Sequence, residues 1–163
     1  MLIAVIADTH LPRGVRRLPG ACVDWLGDAD LILHAGDLSA RSALEELRAF
    51  DAPVLAVRGN VDEPSLRREL PERRLVEAEG ARIGMLHDAG PRRGRLDRLR
   101  TAFPEADAVV FGHSHLPLHE EREGFQILNP GSPTERRRAP NRSMGLANVE
   151  HGMVRFELVD LGA

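Results

Sequence analysis

Apolar residues fall along this chain in short runs cut off by glycine and polar residues. Leu2 to Ala7, Leu31 to Ala35, Val54 to Val57 and Val109 to Phe111 are the clearest, with His34 the one polar residue inside them. Runs of this length and continuity read as strands buried on both faces of an α/β protein. Along the whole chain the pattern predicts strands near residues 2–7, 30–35, 53–58, 75–79, 82–87, 107–111, 116–121, 125–128, 144–149 and 153–160. Helices are predicted near 19–27, 40–50, 64–68 and 94–102. The first half alternates strand and helix, which predicts parallel βαβ units. The end is strands joined by turns, Glu150-His151-Gly152 among them, and so predicts antiparallel pairing. Two mixed β-sheets packed face to face, with helices outside each, would bury all of these runs. With no repeat, linker or low-complexity tract, the 163 residues read as a single domain, 1–163, long enough to bury a sizeable core.

Polar residues gather where these strands should end. Asp8-Thr9-His10 follows the first run, Gly36-Asp37 the second, and Gly112-His113-Ser114-His115 the run ending at Phe111. Gly59-Asn60 is reached from Val57 through Arg58, and His87 closes a further predicted strand. Open α/β sheets bind ligands just beyond the carboxyl ends of their strands. One edge would therefore collect two Asp, one Asn and four His, seven oxygen and nitrogen donors without a thiolate. Such a mixed set suits Mn, Fe, Zn, Co or Ni better than Ca or Mg, which want nearly all oxygen. The lone Cys22 lies in a helical segment and supplies no cysteine-based zinc site. Seven donors are too many for one tetrahedral ion and match two ions sharing a bridging carboxylate. Two ions roughly 3.5–4 Å apart are the arrangement that clamps attacking and leaving oxygens in phosphoryl transfer.

Asp-x-His, Gly-Asp, Gly-Asn, His and Gly-His-x-His, in this order, resemble the calcineurin-like metallophosphoesterase superfamily. The short length and Asn129-Pro130-Gly131-Ser132 are similar to its small bacterial and archaeal phosphodiesterase branch, and nearly the whole chain is covered. The resemblance implies an α/β four-layer αββα sandwich with two mixed β-sheets. It implies Asp8, His10 and His115 on a first metal, Asn60, His87 and His113 on a second, and Asp37 bridging them. The cofactors implied are two divalent metal ions per chain, manganese first, with nickel, zinc, iron or cobalt as alternatives. The implied activity is hydrolysis of a small phosphodiester by attack of a metal-bridging hydroxide, with Asp37, Asn60 and His87 as the catalytic residues around it. His113 and His115, two residues apart on an extended segment, should face the same side. Asp62 and the backbone near Asn129 are expected to orient the ligating imidazoles, since these usually hand their other N–H to a carboxylate or carbonyl.

Two positions depart from the family pattern. The phosphomonoesterase branches have a His after Gly-Asn that protonates the leaving group; here Val61 stands there and donates nothing. Asp62, which would support that His, is expected instead to cap the turn before Pro64. The small-phosphodiesterase branch commonly reads His-Gly-His where this chain has His87-Asp88-Ala89-Gly90, so the second His is missing. His34 reads as an internally hydrogen-bonded core residue, and His119 and His151 as solvent-facing. Arg136 and Arg137 are candidate substrate-binding residues, set against the plainer reading of a solvated charge run. Arg13, Arg16 and Arg17 are weaker candidates for the same task.

A net charge of −3 and a pI near 6.2 exert no general pull on nucleic acid or anionic membrane. No run of 18 apolar residues offers a membrane span, and no secretion signal opens the chain. A single cysteine excludes an internal disulfide framework. The expected setting is cytoplasmic and the expected partner a small-molecule phosphoester substrate, with a homo-oligomer left open. The alternatives are a phosphomonoesterase and a protein-docking scaffold resembling the retromer subunit of the same branch. The complete set of seven competent ligands favours the enzyme over the scaffold. A nuclease is disfavoured by the acidic balance and by the lack of room for a DNA-capping domain.

Overall fold

Strand β1 (Leu2–Ile6) shows why the apolar runs are continuous. In the computed structural model, which describes residues 1–163, Ala4 and Ile6 point into one core while Ile3 and Val5 point into another. β2 (Leu31–His34) alternates in the same way, Ile32 to one side and Leu31 and Leu33 to the other. A strand that must be apolar on both faces loses the polar alternation of a half-exposed one. β3 (Val54–Ala56) completes the parallel set β1-β2-β3, joined by helices α1 (Gly20–Asp28) and α2 (Arg41–Arg48). β9 (Ser143–Glu150) and β10 (Met153–Asp160) add antiparallel on the other side of β1, giving the order β10-β9-β1-β2-β3.

The second sheet has the order β4-β5-β6-β8-β7. Its strands are β4 (Arg73–Ala78), β5 (Ala81–Leu86), β6 (Ala108–Val110), β7 (Leu118–Arg122) and β8 (Phe125–Asn129), with α3 (Pro64–Glu69) preceding it and α4 (Arg95–Ala102) joining β5 to β6. Ile83, Met85, Ala108, Val110 and Leu128 meet Ile3, Val5, Leu33 and Ala147 between the sheets. Leu26, Leu44 and Leu66 of α1, α2 and α3 cover the outer face of the first sheet, and Leu96 and Leu99 of α4 cover that of the second. The result is the αββα sandwich with two mixed five-stranded sheets. Truncating a fully buried inter-sheet side chain such as Ile83 to Ala should cost about 2–5 kcal/mol.

His151-Gly152 turns between β9 and β10 with φ of 51° and 77°, the primed-turn geometry that matches strand twist. Several predicted boundaries shift by one or two residues, and two differences have a clear physical reason or consequence. The strand predicted from residue 116 begins at Leu118, because Pro117 has no N–H to give a ladder. Asp62 does not cap α3: the N-cap is Glu63, and no side chain bonds the helix start. No helix is long and apolar enough to cross a membrane.

Candidate metal centre

The carboxyl ends of β1, β2, β3, β5 and β6 meet at one edge of the sandwich and bring all seven predicted donors together. Asp8 Oδ1 lies 3.5 Å from His115 Nε2, which in turn lies 3.2 Å from His10 Nε2. Asp37 Oδ2 stands 3.8 Å from His10 Nε2 and 3.3 Å from His87 Nε2, so one oxygen faces both halves of the cluster. Asn60 Oδ1 is 3.1 Å from His87 Nε2 and 3.0 Å from His113 Nδ1. Asp8, His10, Asp37, His87 and His115 are buried, whereas Asn60 and His113 sit at the exposed mouth. Two groups have mutually close ligand atoms, Asp8-His10-His115 and Asp8-Asp37-His87.

Backbone geometry, more than strand periodicity, aims these side chains. Ten non-glycine residues have positive φ. Glu79, Glu123 and His151 belong to hairpin turns; the other seven are Asp8, His10, Asp37, Ser39, His113, His115 and Arg137. Left-handed backbone costs such residues free energy, and its concentration here is typical of functional sites. His113 and His115 both reach the cluster from left-handed backbone, at φ of 71° and 58°, and not from an extended strand. Close approach is equally local. A Cβ on Gly59 would lie 2.0 Å from Asp37 Oδ1, and one on Gly36 would lie 2.6 Å from the His87 ring.

Carbonyls, not Asp62, orient the imidazoles. His87 Nδ1–H donates to Ala35 O at 2.8 Å and His115 Nδ1–H to Glu135 O at 2.9 Å. Because a carbonyl only accepts, Nδ1 carries the proton in each neutral ring and Nε2 is the atom turned to the cluster, bare in His115 and drawn toward a proton in His87 by Asp37. Asp62 instead accepts from Ser39 N–H at 2.8 Å and Gly59 N–H at 2.7 Å, tying the loop after β2 to the loop after β3. The Asn129-Pro130-Gly131-Ser132 segment is also a brace. Asn129 Nδ2 donates to Gly112 O at 2.8 Å, and Ser132 Oγ donates to Asp8 O at 2.8 Å. Thr134 and the Glu135 carbonyl were not singled out from the sequence. Their role runs through hydrogen bonds to Thr9 O and from His115, which no local pattern announces.

Electrostatics test whether metal fits. Both carboxylate oxygens of Asp8 are buried without a hydrogen-bond partner. Burial is the main cause that pushes its carboxyl up to about 7, against the pull of His87. Burial also holds His115 down at about 4 and lowers His10, so these rings are neutral near pH 7. Burial alone would raise Asp37, but the hydrogen bond and charge of His87, helped by Val61 N–H, hold it at about 2. Burial would likewise lower His87, yet Asp37 and Asp8 outweigh it and raise the ring. The orphaned Asp8 oxygens beside the neutral His10 and His115 rings form a pocket short of positive charge, which divalent ions would supply. The donor set fits.

The arginines divide. Arg137 lies close enough for its charge to act on Asp8, His10 and His115. Arg136 turns away and donates to Pro140 O at 3.2 Å. Arg16 pairs with Glu135 at 3.5 Å. His34 is fully buried between Thr9 Oγ1 at 3.0 Å and Gly36 N–H at 3.2 Å, while His119 and His151 are exposed.

A profile of the calcineurin-like phosphoesterase superfamily domain matches residues 1–152. A Methanothermobacter thermautotrophicus protein named "Probable metallophosphoesterase" is 39% identical over 165 residues, covering 100% of this chain and 94% of that one. The chain belongs to the calcineurin-like phosphoesterase superfamily. This metallophosphoesterase is thus a hydrolase of phosphoric esters from a family that binds divalent metals. Among solved structures, zinc-complexed Vps29 from Entamoeba histolytica is similar with a TM-score of 0.79 and 26% identity, over 99% of this chain and 100% of that one. An archaeal phosphodiesterase shares the fold, with a TM-score of 0.74 and 20% identity over 98% of the metallophosphoesterase and 100% of its own chain.

Proposed function

We propose that this metallophosphoesterase is a dinuclear metal-dependent phosphodiesterase acting on a small diester. The observation that carries the reading is the unpaired Asp8 carboxylate within a cluster of seven donors divided by one Asp37 oxygen. Asp8, His10 and His115 would hold one ion, Asn60, His87 and His113 the other, and Asp37 Oδ2 would touch both. When bound, two divalent ions supply an activated water and neutralise charge on the phosphoryl oxygens. The chain's own work is positioning. Ala35 O and Glu135 O lock two rings, Val61 N–H fixes Asp37 Oδ1 at 2.9 Å, and Arg137 brings positive charge to the Asp8 side. Phosphoryl transfer needs little more than position and charge.

Diester preference rests on Val61. It is 47% exposed, its backbone is bonded to Asp37, and it carries neither a proton donor nor a cation. A monoester dianion therefore meets less compensating charge than it would beside a His. The manganese-loaded protein should hydrolyse bis(p-nitrophenyl) phosphate with higher kcat/KM than p-nitrophenyl phosphate, and elemental analysis should return two ions per chain. Without a general acid, rates across a series of aryl diesters should fall steeply as leaving-group pKa rises. Val61→His should flatten that dependence, speeding poor leaving groups by up to ~10²–10⁴-fold. Monoester preference, or a flat dependence under chemistry-limited conditions, would overturn the reading. The scaffold alternative draws support from the likeness to Vps29, but it gives no reason for seven ligands to converge.

A further inference from the structure

A cavity of about 270 Å³ opens beside Asn60, His87 and His113, and Leu86 is its one apolar lining residue. It lies between the loop after β3, helix α3 and the start of β4. Arg58, Arg67 and Arg73 line it, and their placement is set by the fold. Arg73 pairs with Leu86 across the β4–β5 ladder, one residue from His87. Arg58 N–H is bonded to Pro71 O at 2.9 Å, which draws the loop after β3 against the approach to β4.

The three guanidinium groups are not equivalent. Arg58 is held by Glu72 at 2.8 Å, so that charge is largely spent. Glu69, the carboxylate at the end of α3, is taken by Arg41 and Arg48. Asp88 accepts from Gly90 N–H at 2.8 Å. Arg67 and Arg73 remain exposed and without an acidic partner, at a polar wall next to the predicted second-metal ligands, with the Arg73 guanidinium 6.0 Å over the Phe103 ring and its N–H groups left for an anion. Unpaired guanidinium groups suit phosphate or carboxylate, which they meet through parallel N–H bonds. The cavity is also slightly smaller than the ~300–1,000 Å³ usual for an entire small ligand, which fits one arm of a substrate.

We propose that this cavity is an anion subsite, and that the substrate is a phosphodiester with one arm ending in a second anionic group. The assignment rests on the phosphodiesterase reading above and adds to it the chemistry of the arm. Arg137, on the Asp8 side, is left for the scissile phosphoryl group, while Arg67 and Arg73 select what is attached to it.

The test compares manganese-loaded protein on thymidine 5′-(p-nitrophenyl phosphate) with and without a 3′-phosphate. Bis(p-nitrophenyl) phosphate and its analogue with one 4-carboxyphenyl arm supply the carboxylate comparison. Wild type should prefer the anion-bearing member of a pair by about tenfold or more in kcat/KM, the scale of a charge-assisted contact. The larger of the two preferences identifies phosphate or carboxylate. Arg67→Ala with Arg73→Ala should bring the ratio near one. Arg155→Ala, which removes an exposed arginine on β10, should keep it. Calorimetry on metal-free protein gives a second readout: thymidine 3′,5′-bisphosphate should bind more tightly than thymidine 5′-monophosphate, and the double variant should lose the difference. Diester hydrolysis with equal kcat/KM within both pairs would overturn the subsite and leave the diesterase standing. No hydrolysis of any diester would overturn the diesterase reading, and the calorimetric difference would then decide the subsite by itself.

Discussion

At the scale of single residues, the buried histidines do two different jobs. His34 ends β2 behind the metal cluster's loops, tied to Thr9 Oγ1 and Gly36 N–H with no exposed surface. Burial pushes its ring from 6.5 down to about 3, so it stays neutral in the folded protein at pH values where the unfolded chain takes up a proton. The sign follows directly. Below pH 6.5 the unfolded state binds more protons, so stability falls with falling pH until about pH 3. The contribution of this one ring approaches ~1.4 kcal/mol per pH unit in the middle of that window. Urea midpoints of metal-free protein at pH 7 and pH 5 should therefore differ, and His34→Asn should lower the pH 7 midpoint while shrinking the difference. An unchanged pH dependence in the variant would show that His34 is not the group responsible.

At the scale of elements, the strands were legible because burial on two faces writes itself as an unbroken apolar run, as in Leu2 to Ile6. The convergence of the seven candidate side chains was legible too, because each cluster directly follows or closes such a run, apart from Asn60, which comes three residues after Val57. What aims them was not. Left-handed φ at Asp8, His10, Asp37, His113 and His115 has no compositional marker, and the carbonyls of Ala35 and Glu135 are backbone groups that any residue would supply. Asp62 near a proline suggests a cap, but its partners are N–H groups of Ser39 and Gly59, one of them 23 residues away. Gly59 makes the loop packing testable. A Cβ there would lie 2.2 Å from Asp37 N, a backbone atom that cannot swing aside as a side-chain tip would. Gly59→Ala should cost about 1–3 kcal/mol in urea denaturation and lower the metal stoichiometry. Gly27→Ala, in α1 with nothing near its Cβ, should stabilise by up to about 1 kcal/mol and keep both ions. Two ions retained in both variants would mean that the loop contact does not shape the site.

At the scale of the whole molecule, the cluster joins the two sheets at one edge, beside a few hydrogen bonds such as Ser132 Oγ–H to Asp8 O and away from the apolar packing that fills the space between them. Asp8, His10, Asp37 and Asn60 follow strands of the first sheet, and His87, His113 and His115 follow strands of the second. His10 and His115, whose Nε2 atoms converge, are 105 residues apart. Ions held between them would cross-link the two sheets at one edge and would be absent from an unfolded chain, so binding free energy becomes folding free energy. At free manganese one hundred times its dissociation constant the gain is about 2.7 kcal/mol per site. For a chain of this size each kcal/mol raises Tm by roughly 2–4 °C, so one filled site should add roughly 5–10 °C and a chelator should remove it. Asp37→Asn replaces the oxygen that faces both halves with a neutral amide and should forfeit most of the shift, while Asn60→Ala should forfeit only the half nearest the mouth. A wild type that melts at the same temperature with manganese and with chelator, or an Asp37→Asn variant with the full shift, would show that no ion links the sheets through Asp37.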